Sequence, residues 1–309
     1  MRKKSAFSGK SGESWFMLSF WLIPFVLFTL IPVGISVAVS FTNYNMLQPA
    51  RFLGIANYLR MFLDDDIFIK SLSNTLLFAL VTGPVGYVLS FAAAWFINDF
   101  SKGTRGALTF LFYSPSMVGS VYVIWTYLFS NDSYGVINSF LLSANLLREP
   151  IYWLTDPSYN FYVVVIVVLW MSMGNGFLAF VAGLKQLNPV YYESASIDGL
   201  QNRWQELWYI TLPQMTPQLL IGAVLSVSSA FAIGAQNAAL TGNPSTDYST
   251  HTLLLHILDH GTQRLEMGYA SAVAVVLFTI MLGSWALISR GLRAFSGKER
   301  GCTSCDQSV

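Results

Sequence analysis

Charge is what this 309-residue sequence has least of. Only 11% of its residues are Asp, Glu, Lys or Arg, against about 25% in ordinary soluble domains. Hydrophobic residues make up 54% of the chain and the mean hydropathy is +0.51. Much of such a surface must face lipid rather than water. The net charge of +1 gives no basic stripe of the kind that nucleic-acid binding requires. Cysteine is nearly absent: Cys302 and Cys305, four positions from one end, are the only two. They exclude a disulfide scaffold and cannot by themselves close a zinc site. A phosphate-binding loop is missing as well. Gly9-Lys10-Ser11 imitates the end of one, but the residue five before Gly9 is Lys4 rather than Gly. The three histidines, His251, His256 and His260, form no His-Glu-x-x-His pattern and have only Asp259 close by. They read as part of a solvated loop helix rather than as a hydrolytic metal site. No catalytic residues and no metal site are expected.

What is present is a series of long apolar runs. About 20 apolar residues are needed to carry a helix across the hydrocarbon core. Six charge-free stretches meet that length, which predicts an all-α, polytopic membrane protein. The expected spans are about 15–41, 71–97, 107–131, 158–184, 216–239 and 267–289, within a six-helix transmembrane domain at 15–292 flanked by tails at 1–14 and 293–309. Pro213 and Pro217 place the start of the fifth helix near Thr216. Pro24 and Pro32 predict a kink in the first, which is tolerable where neighbouring groups shelter the freed backbone. That first apolar run exceeds the 7–15 residues of a signal h-region, so it reads as a retained helix. Twelve of the 17 lysines and arginines fall on one set of loops and in both tails. The positive-inside rule therefore predicts cytoplasmic termini.

The loop at 185–214 differs from the other connections. Asn188-Pro189 is a helix-start signal, with Asn capping free amides and Pro preorganised for the first helical position. A short helix over Val190 to Ile197 should end at Gly199. A second, over Gln201 to Tyr209, should carry Trp204, Leu207 and Trp208 on one side. Ala195 and Gly199, four apart, are expected to share a face open to close approach. Glu193 is expected to accept hydrogen bonds near the helix start. Neither helix could span a bilayer, and their apolar faces need a partner.

Glu193-Ser194-Ala195-Ser196-Ile197-Asp198-Gly199, followed by Ile210-Thr211-Leu212-Pro213, resembles the EAA loop of binding-protein-dependent ABC importer permeases, in the version of the carbohydrate, maltose-type branch. Ser194 stands where the family usually has Ala. Further stretches resemble the same family in order along the chain: Asn57-Tyr58, Ser73-Asn74-Thr75, Trp153 to Pro157, Thr241 to Pro244, Ser249 to Leu253, and Gly268 to Ala272. The resemblance implies a type I importer permease. Glu193, Ser194, Ala195, Asp198 and Gly199 would form the coupling helix that docks on a cytosolic ATPase. It also implies two copies of that ATPase, which bind ATP and Mg, a second, homologous permease and an external solute-binding protein. This chain itself would bind no cofactor.

Polar residues inside spans are expensive and mark candidate pathways. Asn175, Ser229, Gln236 and Asn237 are candidates, with Tyr122 and Trp170 as aromatic faces for sugar rings. Asn74, Thr75 and Ser228 are also intramembrane polar residues, and helix–helix hydrogen bonding is the commoner use of such groups. No span contains a charge, which fits a neutral solute and weighs against a stand-alone secondary carrier. A membrane-embedded lipid-modifying enzyme is the other alternative. Asp64-Asp65-Asp66 imitates its metal motif, but no second acidic cluster accompanies it.

Overall fold

The computed structural model describes residues 11–118, 121–200 and 202–300. Sixteen α-helices follow in order: α1 Ser11–Phe25, α2 Ile31–Val39, α3 Ala56–Leu63, α4 Asp66–Asn98, α5 Lys102–Met117, α6 Tyr122–Leu128, α7 Val136–Ser143, α8 Pro157–Met171, α9 Asn175–Gln186, α10 Pro189–Ile197, α11 Arg203–Glu206, α12 Leu212–Gln214, α13 Thr216–Phe231, α14 Ala235–Thr241, α15 Leu253–Leu258 and α16 Met267–Arg300. Among the described residues four helical stretches are long and apolar enough to cross a membrane, and the number rises to six if each of two bent pairs is one span. The Cys302/Cys305 pair and the Gly9-Lys10 motif lie outside the described residues.

Several spans are less regular than the apolar runs suggest. A π-helical turn, Val26–Leu30, separates α1 from α2, between Pro24 and Pro32. The run at 107–131 is not one helix: α5 starts earlier, at Lys102, and meets α6 at 88° after Val118 turns extended. The run at 158–184 breaks after α8, where the Ser172 hydroxyl bonds the Leu169 carbonyl at 2.6 Å and Gly174 leaves helical geometry. The run at 216–239 divides into α13 and α14. There the Ile233 carbonyl, freed from the helical ladder, accepts the Thr252 hydroxyl at 2.8 Å. The last helix continues beyond 289 to Arg300.

The chain forms two packed units. One is built from the chain up to Asp65 together with Ile257–Val276. Here the Asn57 amide donates to the carbonyls of Ser40 and Thr42, both at 2.8 Å, and the Tyr58 hydroxyl meets that of Ser40 at 2.9 Å. Gly268 donates its N–H to the Tyr44 carbonyl at 2.9 Å, and a Cβ at Gly268 would strike the Thr42 carbonyl. Arg60 pairs with Glu266 at 3.1 Å and stacks over Tyr269, whose hydroxyl donates to Asp65 at 2.6 Å. Burial alone would raise the Glu266 pKa. Hydrogen bonds with His260 and Arg60, and the Arg60 charge, outweigh it and hold the carboxyl below its ordinary range.

The other unit runs from Asp66 to His256 and resumes at Leu277. Its centre is α4, α9 and α13, which pack pairwise. Phe180 of α9 is fully buried, with the rings of Tyr87 and Phe91 edge-on to it at 5.3 and 5.5 Å. α13 presents Gly222 to that ring, and a Cβ there would overlap Phe180. Glycine thus permits the close helix approach that membrane packing favours. A second cluster joins Phe78 of α4, Val163, Val164 and Val167 of α8, and Leu240 of α14.

Near α14 the unit is clamped by amides. Asn74 donates to the carbonyls of Tyr248 and His251, both at 2.9 Å, and the Thr75 hydroxyl accepts the Leu253 N–H at 2.8 Å. Asn160 donates to Ser249 at 2.6 Å. The histidines are not solvated: His251, His256 and His260 are all buried. In this unit the rings of His251 and His256 lie edge-on at 5.9 Å, because the Asn74 and Asn160 bonds hold residues 248–251 inward. Gly222→Ala is expected to destabilise the protein by about 1–3 kcal/mol, read as a lower unfolding midpoint in mild detergent. An unchanged midpoint would mean that Phe180 has room to yield.

Candidate functional site

The 185–214 loop is a structured element. Asn188 caps α10, its side-chain oxygen accepting the Val190 N–H at 3.1 Å, and Pro189 occupies the first turn. At the other end Gly199 has φ +93°. The Leu200 N–H reaches the Ala195 carbonyl at 3.0 Å and the Gly199 N–H reaches that of Ser196 at 3.4 Å. This is a Schellman ending, for which glycine is the favoured residue.

The five expected coupling residues therefore fall in different environments. Glu193, Ser194 and Asp198 are exposed. Ala195 is buried within the chain itself, so its lack of bulk serves internal packing. Gly199 lies beyond the helix end and does not share Ala195's face, because the chain has already turned left-handed there. Glu193 sits mid-helix, and the free amide at the start is capped by Asn188 instead.

The second short helix also departs from expectation. α11 starts at Arg203, where the Asn202 side chain caps it by accepting the Trp204 N–H at 3.2 Å; Gln201 lies outside the described residues. α11 passes into a π-helical turn, Leu207–Thr211, before α12. Leu207 and Ile210 are buried, while Trp204 and Trp208 remain exposed. The Tyr192 and Thr211 hydroxyls, 2.9 Å apart, tie α10 to this second segment.

A cavity of about 420 Å³ lies between α4, α5, α6, α8, α9, α13 and α14. Tyr122, Ser229 and Gln236, singled out in the sequence, line it. Trp170 lies elsewhere, edge-on to Trp125 at 5.3 Å. Asn237 is fully buried and donates to the Thr250 carbonyl at 2.6 Å, so it holds the fold rather than facing the cavity. Ser228 bonds the Val224 carbonyl of its own helix at 2.9 Å. The side chain of Asn175 lies outside the described residues. Sequence reasoning missed Tyr113, Ser116, Ser172 and Ser226, which also line the cavity. Their signal was the interruption of apolar runs by Tyr113-Ser114-Pro115-Ser116 and by Ser172-Met173-Gly174. Among the described residues no charged side chain lines the space, and the hydroxyl and amide groups can both donate and accept.

Residues 84–292 match the family described as the binding-protein-dependent transport system inner membrane component. The chain belongs to this family. It is an importer permease, and neither a stand-alone carrier nor a lipid-modifying enzyme is favoured. Over 285 residues the permease is 31% identical to a Bacillus subtilis protein named "Probable ABC transporter permease protein YesP", covering 91% of this chain and 90% of that one. It is 27% identical to the lactose transport system permease protein LacF of Rhizobium radiobacter, covering 81% and 84% of the two chains. Its fold matches the crystal structure of a bacterial ABC transporter involved in the import of the acidic polysaccharide alginate. The TM-score is 0.76 at 24% identity, over 92% of this chain and 96% of that one.

Asn188→Ala removes the cap and is expected to weaken α10 by about 1 kcal/mol. Gly199→Val forces a branched residue into left-handed geometry at about 1–2 kcal/mol. Amide hydrogen exchange over residues 189–197 should accelerate roughly fivefold or more in each variant. Unchanged exchange would show that neither end sets the order of the loop.

Proposed function

We propose that this permease lines one half of a membrane channel through which an ATP-driven importer takes up a neutral sugar or oligosaccharide. The charge-free, hydroxyl-lined cavity carries the reading. Tyr113, Tyr122, Ser229 and Gln236 offer aromatic faces and two-way hydrogen bonding, the combination that suits a polyol ring. The saccharide cargo named for LacF supports the substrate class.

In this reading α10 docks on a cytosolic ATPase, present in two copies, that binds ATP and Mg²⁺. Both termini lie in the cytoplasm, following the bias of basic residues. A second, homologous permease completes the channel, and an external binding protein delivers the solute. Val190, Tyr191 and Ile197 of α10, with Trp208 and Tyr209 nearby in sequence, are exposed and supply an apolar docking surface. Nucleotide-driven closure of the ATPase would move the loop and switch the cavity between its two openings.

Gly199→Trp places a bulky side chain at the left-handed turn beside that surface. It is expected to insert normally and to abolish uptake; normal uptake would remove the loop from the mechanism. Gln236→Leu takes a donor and an acceptor from the cavity. Its apparent KM for saccharide uptake should rise about threefold to tenfold, with ATPase binding intact. An unchanged KM would place the solute elsewhere.

A further inference from the structure

α10 is continuous with α9 and α13 through the chain, but its connection to α4 is made across space. Asp99 directly follows the end of α4, and its carboxylate forms an ion pair with the Arg203 guanidinium in the loop. The same guanidinium lies over the ring of Trp95, 4.7 Å from its centroid. Trp95 is one turn before Asp99 on the same helix face. The Trp204 ring completes the cluster, 5.4 Å from Trp95.

We propose that Arg203 is a positioning residue, clamping the 185–214 loop to the end of α4 so that movement of α10 reaches the cavity wall. This rests on the reading of α10 as the ATPase dock. The guanidinium is suited to the task because one planar group can pair with a carboxylate and stack on an indole at once, which an ammonium does poorly. The ion pair is half exposed, and such a pair alone contributes little. Stacking on Trp95 fixes the guanidinium, and the Tyr192–Thr211 bond joins α10 to the clamped segment. Beyond the clamp α4 continues as one helix to Gly86 and Thr82, which line the cavity. Trp95 to Gly86 is about 14 Å of helix at 1.5 Å per residue. A displacement at Arg203 is thus delivered to the cavity by a stiff element rather than by a flexible loop.

The test uses the whole importer, purified through this chain with its ATPase, with Cys302 and Cys305 replaced by serine. Spin labels at Leu80→Cys on α4 and Ile124→Cys on α6, both exposed positions, report an inter-helix distance with and without ATP plus vanadate. The wild type should show an ATP-dependent shift in that distance. Asp99→Asn and Arg203→Ala should each reduce the shifted fraction about threefold or more, while the ATPase stays bound and still hydrolyses ATP. The double variant Asp99→Arg with Arg203→Asp should recover most of the shift, which a merely destabilising role would not permit. Single variants that shift like the wild type, or a double variant without recovery, would overturn the clamp. Loss of the ATPase from the single variants would also overturn it, since Arg203 would then be a docking residue. A wild-type chain that retained no ATPase would instead remove the docking reading on which the clamp rests.

Discussion

The burial of Phe180 between α4 and α13 is the contact on which the rest of the permease depends. Its ring fills the space left by Gly222 and takes the edges of Tyr87 and Phe91. In lipid, apolar side chains gain little from meeting each other rather than acyl chains, so close fit and dispersion must hold helices together. That contact fixes α9 and α13, the two helices joined by the 185–214 loop. It also fixes α4, which runs past the hydroxyl-lined cavity. These three helices therefore carry part of the cavity wall, which α5, α6, α8 and α14 complete.

Backbone satisfaction explains why the spans break where they do. A broken helix exposes carbonyls and amides, and no water is available in hydrocarbon to satisfy them. Two of the breaks have a local answer: the Ser172 hydroxyl on Leu169 at one, and the Thr252 hydroxyl on Ile233 at the other. Ser172 and Ile233 also line the cavity. Irregular backbone in this unit thus sits beside a polar space, where non-helical geometry is tolerated.

Much of this was legible in the sequence. The apolar runs pointed to an all-helical membrane protein, and Asn188-Pro189 and Gly199 marked both ends of α10, because caps and left-handed turns act through adjacent residues. Stretches whose order along the chain resembles the family are held by long-range bonds: Asn57 to the 40–42 turn, and Asn74 and Thr75 to residues 248–253. The failures are long-range. Nothing local distinguishes Asn237, which holds Thr250, from Gln236, which lines the cavity; neighbouring helix positions point about 100° apart. The inward placement of His251 likewise goes with Asn74 and Asn160, whose partners lie 177 and 89 positions away along the chain. Leu207 turns inward while Trp204 and Trp208 stay exposed, so the second short helix does not carry all three on one side, and no residue there announces the π-helical turn at Leu207–Thr211.

The central claim is that this chain works only as part of an assembly driven from its 185–214 loop. Isolation of the tagged protein from its native membrane in a gentle detergent, with identification of every retained chain, tests it most directly. A cytosolic ATPase and a second six-helix permease are the expected companions. A folded chain recovered alone would contradict the claim.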